Sequence, residues 1–67
     1  MARTDQERLE WLENRLKFAR ENQEKNQRFA NEGATTCQVW ADHFEGVALM
    51  LEQKIYEHKL HMQQNAA

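Results

Sequence analysis

Sixty-seven residues, 40% hydrophobic and 30% charged with a formal charge of -2, make one small domain at most. Such a chain buries little surface, so disulfides, a metal or self-association usually complete it. Cys37 is the only cysteine, which excludes an internal disulfide and points to a reducing, cytoplasmic setting; the slight negative balance gives no general pull toward nucleic acid.

The first element is announced by Thr4-x-x-Glu7, a capping box in which a hydroxyl serves an orphan N–H and a carboxylate reaches back to the cap. A helix is expected over about 5-31. Its residues are strong helix formers, and Glu13→Lys17, Glu21→Lys25 and Glu24→Arg28 are i,i+4 pairs in the favourable order. The nine polar residues from Arg20 to Arg28 therefore need not break it. Asn31-Glu32-Gly33 supplies the stop, because Gly accepts the left-handed conformation that closes a helix. Thr35-x-x-Gln38 reads as a second capping box, opening a helix over about 36-63. So short a connection sets the helices antiparallel. The fold class is all-α: an antiparallel two-helix hairpin in a single domain, 1-67.

On the first helix, Leu9, Leu12, Leu16 and Ala19 recur at three- and four-residue spacings, and the seam continues through Gln23 and Asn26 to Ala30. The facing seam is expected from Cys37, Trp40, Phe44, Val47, Leu51, Ile55, His58 and Met62. Each helix carries a second apolar stripe: Trp11, Phe18 and Phe29 on the first, and Leu49, Tyr56 and Leu60 on the second, with Val39 and Met50 further round. A lone hairpin covers one stripe per helix, so these six residues are expected to form an oligomer interface. A two-fold four-helix bundle is the commonest closed solution, with a higher oligomer as the alternative. Gly46, inside the second helix, fits either a close helix approach or an open face.

The polar block faces the most aromatic part of the second helix. Asn22 and Asn26 offer amides, Lys25 and Arg28 positive charge, and Trp40 and Phe44 flat apolar faces. That set suits a partner-protein groove or a planar anionic, nucleotide-like ligand. Equally, Gln23 and Asn26 are the kind of polar seam residue that fixes register. No phosphate-binding glycine loop accompanies the block.

Other chemistry is sparse. His58 and His61 have the i,i+3 spacing of a helical chelate, but a transition metal wants three or four ligands, and imidazoles also suit the last turns of a helix; no metal and no cofactor are expected. Cys37 and His43 stand on different sides of the second helix, and the carboxylates of the first alternate with Lys and Arg as a solvated surface does. An enzyme is not expected. Arg8, Arg15, Lys17, Arg20, Lys25 and Arg28 share their length with Glu7, Glu10, Glu13, Glu21 and Glu24, so no basic stripe forms and nucleic acid is not an expected partner. The longest apolar run, Val47 to Leu51, is far short of the ~20 residues of a membrane span. MARTDQERLE lacks the apolar stretch of a secretory signal.

In topology the expected assembly resembles the Rop type of helical hairpin, which pairs into a four-helix bundle and binds RNA; no motif is shared and no residues carry over. The function expected is stoichiometric binding by a homo-oligomer, an adaptor or inhibitor of a protein partner of the phage or plasmid regulator kind. The rival readings are a sponge for an anionic nucleotide-like ligand between protomers and a Rop-like RNA binder.

Overall fold

The computed structural model describes residues 3-65; the other four residues of the expected 1-67 unit lie outside them. Two helices, α1 (Asp5–Asn31) and α2 (Thr36–Asn65), make up the architecture, and no strand occurs among the described residues. They pack against each other as a hairpin measuring 53 × 20 × 14 Å, whose radius of gyration is 15.3 Å where a compact chain of this length has ~11 Å.

Local chemistry explains both ends of α1. The Thr4 Oγ1 accepts from the Glu7 N–H at 3.2 Å and donates to the Glu7 carboxylate at 3.0 Å, so the cap is made by the hydroxyl while the carboxylate turns to the side chain. At the other end Gly33 has φ +114°, and its N–H bonds the Ala30 carbonyl at 3.1 Å while that of Ala34 bonds the Phe29 carbonyl at 3.0 Å. Those two bonds form a Schellman closure, which satisfies carbonyls that would otherwise face water. The second capping box does not form as the spacing suggests. Gln38 turns its amide toward Gln27 and Asp42, and α2 opens instead on backbone bonds from Cys37 to Ala34 and from Gln38 to Thr35. The three same-helix charge pairs of α1 are also open among the described residues; Arg20 pairs across the hairpin with Glu52.

The core is narrow. Leu9, Leu12 and Ala19 of α1 are buried with Ala48, Leu51 and Ile55 of α2, and Leu16, Phe44, Val47 and Met62 pack partly against them. Ala41 is buried as well, at 2% exposure. The α2 seam therefore runs Cys37, Ala41, Phe44, Ala48, Leu51, Ile55, with alternating steps of four and three as in a coiled coil. That corrects the expected seam at one level outright: Trp40 lies outside at 57% exposure. An indole at this level would hold the helices apart, whereas Gln27 and Gln38 meet here at 2.9 Å. Val47 is only half-buried because Ala48 takes the central place.

A Cβ added at Gly46 would meet nothing within 4 Å, and the same is true at Gly33. The two glycines differ only in backbone. Gly33→Ala is expected to destabilise by about 1–2 kcal/mol through its positive φ, and Gly46→Ala to stabilise by about 0.5–1 kcal/mol through helix propensity. Urea unfolding at one fixed protein concentration checks both signs. A loss at Gly46 would mean that another helix approaches there.

Candidate functional site

The hairpin has two unlike broad faces. At 100° per residue, Arg20 and Phe18 point about 160° apart on α1, and each finds a different kind of neighbour on α2. On the Arg20 side, polar groups close the gap. Gln27 and Gln38 exchange reciprocal amide bonds at 2.9 and 3.0 Å, and the same two amide nitrogens donate to Asn31 at 3.0 Å and to Asp42 at 2.9 Å. With the Arg20–Glu52 ion pair, these bonds cross-brace the face.

On the Phe18 side the closure is aromatic. Phe18 meets Phe44 edge-to-face at 6.4 Å between centroids, Phe44 meets His43 at 5.5 Å, and His43 meets Trp40 at 6.1 Å. This ladder crosses from α1 to α2 and then climbs α2 toward the turn. It is largely in water: Phe18 is 54% and Trp40 57% exposed. Trp11 and Phe29 lie on the same side of α1 as Phe18 and are exposed too. Trp11 is partly covered within its own chain, since the guanidiniums of Arg3 and Arg15 lie 5.2 and 5.6 Å from its ring centroid, each such contact contributing roughly 0.5–1 kcal/mol.

The six residues expected at an oligomer interface thus occupy two surfaces. Trp11, Phe18 and Phe29 border the aromatic face. Leu49, Tyr56 and Leu60 lie about 120–160° round α2 from Phe44, at the angles of Gln38 and Asp42, on the outer flank of that helix that borders the polar face, and are exposed as well.

The six residues expected to hold a ligand also divide. Trp40 and Phe44 belong to the ladder. Lys25 and Arg28 share a hollow of about 280 Å³ with Phe29 and Glu32, and Arg28 helps line another of about 410 Å³ with Arg20, Gln23, Glu24 and Gln27. Neither hollow is lined by Trp40 or Phe44. Asn22 and Asn26 are half-buried, with their amide nitrogens turned back along α1 to the carbonyls of Phe18 at 2.8 Å and Asn22 at 2.7 Å. Bonds of this i−4 kind spend the donors on the helix itself.

The amide contact between the helices is therefore made by Gln27 and Gln38, a pair that the seam pattern passes over because position 27 lies beside the seam. Aligning the two helices about Gly33 and asking which amides meet would have found it. Among the described residues no three His, Cys, Asp or Glu side chains are grouped to hold a metal, and no helix is long and apolar enough to cross a membrane.

Gln27 and Asn26 should respond oppositely to leucine. Gln27→Leu strands the Gln38 amide and is expected to cost about 0.5–1.5 kcal/mol, whereas Asn26→Leu removes a back-bonded side chain and is expected to add about 0.5 kcal/mol. Thermal melts of the two variants beside the parent check the opposite signs.

The chain matches no protein-family model, no curated protein and no solved structure. Its functional reading rests on its own residues.

Proposed function

We propose that this chain is a non-catalytic binding protein that works as a two-fold homodimer, the aromatic face of one copy laid on that of the other, and that it acts stoichiometrically as an adaptor or inhibitor of a protein partner. The observation that carries this reading is the quantity and placement of exposed apolar surface. Nine large hydrophobic side chains, Trp11, Phe18, Phe29 and Trp40 among them, are exposed in the described residues, more than scattered surface positions of a small monomer usually carry. The aromatic ladder supplies side chains of the type that dominate interface energetics.

A face that meets its own copy across a two-fold axis needs to be self-complementary. Edge-to-face rings suit that requirement, since the exposed edges and faces of Phe18 and Trp40 can interleave with their symmetry mates. Two hairpin layers stacked in this way make a four-helix bundle. The Leu49–Tyr56–Leu60 stripe would remain outside that bundle, available to the protein partner.

Sedimentation equilibrium of the whole chain tests the proposal. A mass twice the 8.0 kDa of the chain is expected at micromolar concentration, falling to the single-chain value for Phe18→Glu and staying double for Tyr56→Glu. A parent that sediments as a monomer overturns the dimer, and a dimer lost with Tyr56→Glu but kept with Phe18→Glu moves the interface to the outer flank of α2.

A further inference from the structure

The open end of the hairpin, where α1 begins and α2 ends, gathers side chains for which the dimer reading has no use. Arg8 and Leu12 of α1 and Lys54, Glu57, His58 and His61 of α2 line a cleft of about 320 Å³. Two permanent cations and two imidazoles therefore converge with a single carboxylate, in a chain whose formal charge is -2. Among the described residues neither Arg8 nor Lys54 is held in an ion pair. One oxygen of the Glu57 carboxylate already accepts from the Gln53 amide at 3.0 Å.

The histidines are fixed in place. His58 Nε2 donates to the Asp5 carbonyl at 2.8 Å, which ties the end of α2 to the start of α1. Its ring stacks on that of His61 with centroids 6.1 Å apart and planes 26° from parallel. Leu12, 4% exposed, gives the cleft an apolar floor. Arg8 and Lys54 thus bring N–H donors to the cleft beside the Glu57 carboxylate, the Nε2–H of His58 being given to Asp5.

That lining selects the sign of a ligand. Arg and Lys carry no lone pair for a metal and repel a cation, so the imidazole pair gains no help toward metal binding from its neighbours. Two unpaired cations facing the same space repel each other, and an anion placed between them turns that repulsion into attraction. A guanidinium fork and an ammonium point charge are the two side chains that recognise phosphate, the first by paired hydrogen bonds and the second by charge.

We propose that this cleft binds a polyphosphate anion, with Arg8 and Lys54 neutralising it and the His58–His61 pair forming one wall. The phosphate groups carry the recognition, whether they are free or belong to a nucleotide. Both helices of one chain supply the lining, but Lys54 and His61 lie within about 20° of His43 round α2, so the cleft opens on the aromatic side; repeating the titration on Phe18→Glu separates the site from the dimer.

Isothermal titration of the whole chain with inorganic pyrophosphate, and separately with ADP, tests it. Saturable sub-millimolar binding of pyrophosphate is expected, weakened about tenfold or more by Arg8→Met and by Lys54→Met, and unchanged by Lys17→Met on the opposite side of α1. Equal affinity for ADP assigns recognition to the phosphates alone, and tighter ADP adds a contact to the nucleoside; both support the site. Circular dichroism confirms that the variants are folded, as expected for exposed positions. Absence of saturable binding in the parent, or equal weakening by Lys17→Met, overturns the proposal, the second because it marks diffuse charge attraction in place of a site.

Discussion

A seam one side chain wide, with alanine at every second step near the middle, is the constraint on which the rest of the hairpin depends. Ala19, Ala41 and Ala48 are each at most 2% exposed, so the helices approach closely where these residues meet the partner helix. Close approach has two consequences. It lets Gln27 and Gln38 reach each other directly, and it leaves no interior volume for the large rings. Protein interiors admit no voids and no surplus side chain, so Trp40 and Phe18 are placed outside by the same packing that buries the alanines.

The division into faces follows from that closeness. On one side the gap is closed by hydrogen bonds and an ion pair that stay within the chain, and a satisfied polar network has little to offer a partner. The Arg20–Glu52 pair is more than a third exposed on both sides, so its worth lies in geometry more than in energy. On the other side the gap is closed by ring edges, which are satisfied on one side only. Phe18, Phe44, His43 and Trp40 touch in sequence, and all but the half-buried Phe44 are exposed to water. The polar bonds that brace the hairpin and the ring ladder proposed for association thus lie on opposite faces, with Leu49, Tyr56 and Leu60 on the flank of the first.

Much of the architecture was legible in the residues. Thr4 and Gly33 mark the ends of α1 by chemistry that needs no tertiary contact, a hydroxyl for an orphan N–H and a residue that tolerates positive φ. The leucines of α1 mark its inner side by spacing alone. The α2 seam was harder, because between Cys37 and Phe44 a helical period admits either position 40 or position 41, and hydrophobicity favours tryptophan over alanine. Only the need for close approach at the Gln27–Gln38 level decides for Ala41, and that is a property of both helices together. The cleft at the open end was hidden for a similar reason. Arg8 stands among alternating charges and Lys54 in a mixed run between Gln53 and Ile55, so neither stands out until the antiparallel register sets them side by side.

Register links the two ends of the molecule. Gln27–Gln38 sits beside the turn, and the His58 bond to the Asp5 carbonyl sits at the far end, about 33 Å of helix away. A slip of one heptad on α2 would set Arg8 against Val47 or His61 in place of Lys54, and would also part the two glutamine amides. The Schellman closure at Gly33 fixes the length of the connection, the amide pair fixes the first contact beyond it, and the stiffness of continuous helix carries that alignment to the open end. The convergence of Arg8, Lys54 and the two histidines is therefore a consequence of contacts made at the turn. Loosening the glutamine pair should be felt at the cleft before it is felt in the leucines between, because side chains in a seven-residue repeat find equivalent apolar places after a slip, while a cluster of unlike charged residues does not.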